Sequence, residues 1–160
     1  MTFPPARDSI EGVEAISTSP GRLRPVAFEA LYRRELEGIV RIAFLITRSR
    51  PVAEEIAQEA FVTVLERWIS LANPGAYLRT TVVRAAVRSR ARTGREHELL
   101  RAERRRDVPE PGVDEMWEML GELPSMQRAA IVLRFYCDLP HDQIAGVLHC
   151  TPASARMLTH

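Results

Sequence analysis

The sequence predicts an all-α protein made of two small helical domains joined by a flexible linker. Apolar residues recur every three or four positions in several segments, which is the spacing of one buried helix face, and no segment shows strand-like alternation. Breaks that contain proline and glycine separate these segments. At 160 residues the chain has room for two small domains. The predicted divisions are a disordered tail (1–25), a first domain (26–92), a linker (93–112) and a second domain (113–160).

Composition excludes several classes of protein. Hydrophobic residues make up 46% of the chain and charged residues 27%, as in a folded soluble domain, and no apolar run approaches the roughly 18 residues of a membrane span. The first residues lack the apolar core of a signal peptide, so we expect a cytoplasmic protein. No phosphate loop, paired-carboxylate site or nucleophile elbow is present, which predicts a protein that is not an enzyme and needs no cofactor.

The two cysteines, Cys137 and Cys150, are too few for a disulfide framework and lie in apolar helical contexts. With His141 and His149 they include zinc-ligand types, but the adjacent pair His149 and Cys150 points in divergent directions on a helix. We therefore interpret both cysteines as core residues and predict no metal site.

The first domain is predicted to contain three helices. The first spans about 26–48, the second about 52–68, and the third begins at Gly75 or Ala76, after a turn at Asn73, and ends near Arg92. Trp68 closes the apolar stripe of the second helix and is favoured as a core residue over a stacking residue. The inward residues predicted for the three helices are Phe28, Tyr32, Leu36, Ile39, Ala43 and Ile46, then Ile56, Ala60 and Val64, then Tyr77, Leu78, Thr81, Val82 and Ala85.

Charge is distributed very unevenly along this domain. Residues 52–66 contain Glu54, Glu55, Glu59 and Glu66 and no basic residue, whereas residues 77–106 contain ten arginines against three glutamates. All basic residues of the chain are arginines, and Arg84, Arg88 and Arg92 are predicted to point outward from the third helix. One acidic helix beside one basic helix indicates two different partners.

The second domain is predicted to end in a helix-turn-helix. A short helix at 113–120 and a helix from Pro124 to about Tyr136 come first, the latter with Ala130, Ile131, Leu133 and Phe135 in the core. Ile144, Val147 and Leu148 then form one apolar helix face, which a break at 149–152 ends. Thr151 is predicted to cap the last helix, and Pro152 suits its first position because proline has no N–H to leave unpaired. In such motifs the second helix enters the major groove of DNA.

Four segments in this order resemble the extracytoplasmic-function sigma factors of bacterial RNA polymerase, a sigma-70 subfamily. They are AEEIAQEAFVTVLERW (53–68), NPGAYLRTTVVRAAVRSRAR (73–92), LPSMQRAAIVLRFYCDL (123–139) and the helix-turn-helix (141–160). The arginine-only, alanine-rich composition resembles actinobacterial members. The resemblance implies a region 2-like first domain, a region 4-like second domain, and a sigma factor that directs promoter recognition and transcription initiation.

The resemblance also implies partners and site residues. The acidic helix would bind the clamp helices in the largest subunit of core RNA polymerase through an acidic face that consists of Glu55, Gln58, Glu59, Val62 and Glu66. The arginine helix would read the minus-10 promoter element through Asn73, Tyr77, Arg79, Thr80, Arg84 and Arg88. The last helix would read the minus-35 element through Thr151, Ala153, Ser154, Arg156, Met157 and His160. An anti-sigma factor is a further implied partner.

The sequence departs from the family pattern at two places. Arg84 stands where the family often has asparagine, which changes how the promoter strand would be gripped. The family also continues past His160 for about two more helical turns, so the resemblance implies truncation within the recognition helix and weak autonomous minus-35 binding. Two alternatives stay open: a sigma-like decoy that holds polymerase or an anti-sigma factor without directing initiation, and a helix-turn-helix repressor.

Overall fold

The computed structural model describes the backbone of residues 20–96 and 119–160, and the side chains of 26–89 and 119–160. These parts contain helices and no strand, which confirms the predicted all-α class. The helices are α1 (Pro20–Thr47), α2 (Arg50–Arg67), α3 (Pro74–Glu96), α4 (Ser125–Ile131), α5 (His141–Leu148) and α6 (Pro152–Leu158). A 3₁₀ turn (Trp68–Ser70) follows α2, a π-helical turn (Val132–Tyr136) follows α4, and residues 119–122 are also helical.

Two helices are longer than predicted. α1 begins at Pro20, within the predicted tail, and α3 continues to Glu96, within the predicted linker. The residues that extend α3 include arginine and glutamate, which are strong helix formers, and Gly94 weakens the helix without ending it. The predicted tail up to residue 19, the linker beyond residue 96, and residues 113–118 of a predicted short helix lie outside the described residues.

Helices α1 to α3, the N-terminal unit, pack their apolar faces together. Ile39, Ala43 and Ile46 of the predicted α1 stripe are buried, as are Ile56, Ala60 and Val64 of α2. On the part of α3 up to residue 89 the buried side chains are Leu78, Val82, Val83 and Ala86, so the inward face is rotated slightly from the predicted one. Trp68 packs edge-on against Phe28 at 5.8 Å between ring centroids and belongs to the core, as favoured.

The turn between α1 and α2 depends on local chemistry. Arg48 adopts a left-handed conformation with φ of 57°, and Pro51 lies in the first turn of α2. Thr47 is buried and donates its hydroxyl to the Ala43 carbonyl at 2.8 Å. Because proline has no N–H that needs a partner in the first helical turn, α2 can begin at Arg50, two residues after the left-handed Arg48.

Helices α4 to α6 and the π-helical turn, the C-terminal unit, bury Leu133, Ile144 and Ala155, which belong to one apolar core shared with the N-terminal unit. The prediction that Phe135 lies in this core is wrong, because the side chain is 68% exposed. Phe135 lies two residues after the buried Leu133 and five after the buried Ala130, so at about 100° per residue its side chain points away from the buried face. Within the π-helical turn the Cys137 N–H donates to the Val132 carbonyl five residues earlier.

Helices α5 and α6 form the predicted helix-turn-helix. His149 ends α5 in a left-handed conformation with φ of 54°, and Pro152 opens α6. The Thr151 hydroxyl accepts from the Ser154 N–H at 3.1 Å, which confirms the predicted cap. His141 on α5 contacts the Thr159 hydroxyl at 3.1 Å and ties the start of one helix to the end of the other.

Replacing the capping threonine, Thr151→Ala, is expected to lower the free energy of unfolding by ~1 kcal/mol, because the Ser154 N–H loses its partner. Chemical denaturation followed by circular dichroism measures this loss. Thr63→Ala serves as the control, since the Thr63 hydroxyl only bonds back to the Glu59 carbonyl within α2. Such a bond adds little to a helix. Equal losses in the two variants would mean that the cap does not stabilise α6.

Candidate nucleic-acid and polymerase interfaces

A cavity of about 490 Å³ opens at the start of α3. Five of the six residues predicted to contact the minus-10 element line it, and these are Asn73, Tyr77, Thr80, Arg84 and Arg88. The remaining lining residues are Leu71, Ala72, Ala76 and Thr81. The cavity therefore combines an aromatic ring, hydroxyl and amide groups, and two guanidinium groups.

The shape of the cavity follows from how α3 begins. The Asn73 side-chain oxygen accepts from the Ala76 N–H at 3.0 Å, and the Tyr77 N–H donates to the Asn73 carbonyl at 3.1 Å. Asparagine thus caps the helix while Pro74 occupies its first turn. The cap fixes Tyr77 one turn later, where the half-buried ring packs against the core and the Arg67 guanidinium carbon lies 6.0 Å from the ring centroid.

The arginines of α3 do not all point into solvent. Arg88 is exposed, as predicted, and the Arg92 side chain lies outside the described residues. The prediction is wrong for Arg84, which is half-buried and donates its Nε to the Val147 carbonyl at 2.8 Å and its Nη2 to the Gly146 carbonyl at 2.9 Å. The C-terminal unit packs against α3, so the helix-turn-helix supplies these acceptors.

Arg79, the sixth predicted minus-10 residue, does not line the cavity. It is half-buried and close enough to Cys137 of the C-terminal unit to affect that thiol. Burial raises the pKa of the Cys137 thiol, and the positive charge of Arg79 opposes that rise to a smaller extent. Arg79 and Arg84 therefore both face the C-terminal unit.

The acidic face of α2 is exposed along its whole length, because Glu55, Gln58, Glu59, Val62 and Glu66 all contact solvent. Val62 is 55% exposed, and Leu65 and Ile69 extend the apolar strip beside it at 40% and 79% exposure. Leu65 and Ile69 were not predicted as surface contacts. Leu65 lies three residues after Val62 on the same side of α2, a spacing that could have indicated the strip, and Ile69 lies in the 3₁₀ turn that follows α2.

Helix α6 presents most of the residues predicted to read DNA. Thr151, Ala153, Arg156, Met157 and His160 are exposed, whereas Ser154 is half-buried. The Ser154 hydroxyl lies 2.9 Å from the Thr151 hydroxyl, so the two polar groups are partly engaged with each other. Ala155 is fully buried and holds the opposite side of the helix against the core.

Other kinds of site have little support in the described residues. Within 26–89 and 119–160 no three metal-ligating side chains come together, and Cys137 and Cys150 are free and half-buried. In the described ranges no helix is both long and apolar enough to cross a membrane.

Two family models match the chain. The Sigma-70 region 2 model matches residues 31–96, and the Sigma-70, region 4 model matches residues 114–160. The first match begins within α1 and runs to the end of α3, and the second contains the C-terminal unit. Together they contain the interface residues described above. No curated protein matches the sequence.

One solved structure with a similar fold is the sigma factor RpoE in complex with the anti-sigma factor NepR from Bartonella quintana. The TM-score is 0.66 and the sequence identity 17%, and the match covers 83% of this chain and 89% of that chain. At this identity the likeness shows a shared fold. Region 2 and region 4, in the order of the Sigma-70 family and each on its own helical unit, identify the chain as a member of the Sigma-70 family of RNA polymerase sigma factors.

Proposed function

We propose that this sigma factor belongs to the extracytoplasmic-function group and is similar to its actinobacterial members. It directs transcription initiation in the cytoplasm and has no catalytic activity of its own. The observation that carries the proposal is the cavity at the start of α3, where Asn73, Tyr77, Thr80, Arg84 and Arg88 converge. These are residue types that bind single-stranded DNA by stacking, hydrogen bonding and phosphate neutralisation.

The cavity suits a base of the minus-10 element that has left the duplex. Its volume of about 490 Å³ lies within the usual range of small-ligand pockets, so a nucleobase and part of its sugar can enter. The half-buried Tyr77 ring offers a stacking surface, and the exposed Arg88 guanidinium can neutralise a phosphate at the rim. Arg79 is proposed to contact the same strand beyond the cavity.

The acidic face of α2 is proposed to bind the basic clamp helices of core RNA polymerase. Its carboxylates are exposed and provide the complementary charge that steers a basic partner into position. The neighbouring strip of Val62, Leu65 and Ile69 provides apolar surface that a partner would cover. Charged and apolar surface therefore lie side by side on α2 and the 3₁₀ turn that follows it.

Helix α6 is proposed to read the minus-35 element. Arg156 is exposed and able to bond a guanine edge or a phosphate, and the exposed Met157 offers apolar contact to bases. The solved structure with a similar fold is a sigma factor bound to an anti-sigma factor. We infer that an anti-sigma factor also regulates this chain.

Abortive transcription by core polymerase on a pool of upstream sequences tests the proposal. With this protein present we expect initiation at a defined subset, and Arg88→Ala is expected to weaken that initiation by roughly tenfold through loss of a phosphate contact. Arg33→Ala is the matched control, because Arg33 is an exposed arginine of α1 that pairs with Glu29.

Abortive transcription, read together with binding of the chain to polymerase and to duplex DNA, has three outcomes that separate the candidate functions. Specific initiation that Arg88→Ala weakens supports the sigma factor. Polymerase binding without initiation on any sequence favours the decoy. Binding to duplex DNA without binding to polymerase favours the repressor.

A further inference from the structure

The cavity at the start of α3 presents mostly hydrogen-bond donors. Arg84 and Arg88 line it, and a guanidinium can donate hydrogen bonds but cannot accept them. Arg84 donates its Nε to the Val147 carbonyl and its Nη2 to the Gly146 carbonyl. Since a guanidinium has five N–H groups, these two bonds leave three of them unused. Both arginines can therefore donate to a molecule in the cavity.

Asn73 is a further donor because of the cap that it forms on α3. An asparagine amide has one acceptor atom, Oδ1, and one donor group, Nδ2. The Ala76 N–H donates to Oδ1 at 3.0 Å, and this bond fixes which way the amide is turned, because an NH₂ group could not accept it. Within the described parts of the chain Nδ2 makes no hydrogen bond. The group of Asn73 that remains for a ligand is therefore its NH₂ donor.

Acceptors are few among the side chains that line the cavity. The Thr81 hydroxyl donates its proton to the Tyr77 carbonyl at 2.8 Å, so only its oxygen is left to face a ligand, as an acceptor. The hydroxyls of Thr80 and Tyr77 can donate or accept. Against these neutral hydroxyls stand two charged guanidinium groups and one amide donor. The balance of the lining side chains favours a ligand that accepts hydrogen bonds.

Nucleobases differ in what they offer to such a site. Guanine, cytosine and thymine each carry an exocyclic oxygen, whereas adenine carries only an amino group. Asparagine reads adenine through its oxygen and its nitrogen together, with both turned toward the base. The cap prevents this, because it holds the Asn73 oxygen toward the Ala76 N–H.

We infer that the cavity selects a base that has a carbonyl oxygen and rejects adenine, and that Asn73 determines this choice. The Nδ2 group donates to the carbonyl oxygen of the accepted base. Adenine would place its own amino group against this donor, and the two donors would be left without a partner, which lowers affinity. The inference rests on the proposed function of the cavity as the site of a minus-10 base.

Fluorescence anisotropy of the full chain with labelled single strands tests the selection. Each probe is a short strand of abasic sites with one central base, so that only this base can enter the cavity. Adenine and hypoxanthine are the decisive pair, because hypoxanthine has a carbonyl oxygen where adenine has its amino group and otherwise differs only by one ring N–H. We expect the hypoxanthine strand to bind roughly tenfold more tightly, the discrimination of one good contact between a side chain and a base.

Asn73→Asp changes the free group of this residue and keeps the cap. Aspartate caps helices as well as asparagine does, so one carboxylate oxygen accepts from the Ala76 N–H while the other replaces the NH₂ donor with an acceptor. We expect the preference for hypoxanthine to disappear. The ratio of the two dissociation constants is the readout, because the added negative charge weakens binding of both strands alike. Gln143→Glu makes the same amide-to-carboxylate change on an exposed residue of α5 and should keep the preference.

The outcomes separate the selection from the proposed function. A preference for hypoxanthine that is lost in Asn73→Asp and kept in Gln143→Glu supports the selection. Equal affinity of the wild type for the two strands, with both bound more tightly than a fully abasic strand, would overturn the selection and leave the cavity as a base site. A preference that persists in Asn73→Asp would overturn the role of Asn73. If no base raised the affinity above that of the fully abasic strand, the proposed function of the cavity would fail, and the selection with it.

Discussion

Reversing two charges on α2, Glu55→Arg together with Glu59→Arg, is expected to abolish binding to core polymerase and, with it, promoter-specific initiation. Both carboxylates are exposed and lie one turn apart on the acidic face. Reversal replaces two attractive contacts with repulsion against a basic partner, which costs several kcal/mol. We expect the apparent dissociation constant to rise at least ~100-fold, the effect of roughly 3 kcal/mol.

The control for this reversal is the pair Glu29→Arg and Glu37→Arg, which changes the net charge equally on exposed sites of α1. Surface plasmon resonance against immobilised core polymerase compares the two variants. The control variant should bind core polymerase as the wild type does. Added salt should weaken binding by the wild type, because salt screens exposed charges. If the α2 reversal abolished dimers of the chain but left polymerase binding intact, the acidic face of α2 would be a dimer interface and not the polymerase-binding surface.

Replacing Arg128 with methionine is expected to produce the largest loss of stability of any single substitution in the C-terminal unit. The buried guanidinium donates to the carbonyls of Leu120, Gly121 and Leu123 of its own unit and to Ile46 of α1. Methionine fills similar volume but leaves these acceptors without their donors. Hydrogen bonds to a charged group contribute about 1.5–3 kcal/mol each. Methionine also removes the cost of burying a charge, which offsets part of their sum, so we expect a net loss of roughly 3–5 kcal/mol in the free energy of unfolding.

Urea denaturation followed by circular dichroism measures this loss, with Arg134→Met as the control. Arg134 pairs with Asp138 at 3.3 Å, and the aspartate is 94% exposed, so its removal should cost at most ~0.5 kcal/mol. Arg128→Lys retains the charge but cannot span the same carbonyls, and its stability should fall between wild type and Arg128→Met. Equal stability of Arg128→Met and Arg134→Met would show that the buried network contributes nothing.

Most helices could be predicted because their sequence pattern is local. The spacing of Ile56, Ala60 and Val64 requires one buried face on α2, and the exposed acidic residues then occupy the opposite side. The start of α6 was equally predictable. The threonine hydroxyl accepts from an N–H of the first turn, and the proline that follows has no N–H to leave unpaired, so neither needs a partner from a distant part of the chain.

Phe135 shows where counting apolar residues fails. It was predicted to be buried with Ala130 and Leu133, but it lies five and two residues after them, which on a helix turns its side chain more than about 90° from both. An apolar residue is buried only where it shares the helix face that packs against the rest of the chain, and Phe135 is 68% exposed.

By itself the sequence determined the all-α class, the helix-turn-helix, the acidic face of α2 and five of the nine residues that line the cavity on α3. Only the tertiary structure decided that Arg84 turns toward α5 and that Arg128 is buried against α1. The partners in these two contacts lie 63 and 82 residues apart along the chain. Around such an arginine the local sequence looks the same as around an arginine that faces solvent. Helical periodicity shows which side of a helix is apolar, but it does not show which residues pack against that side.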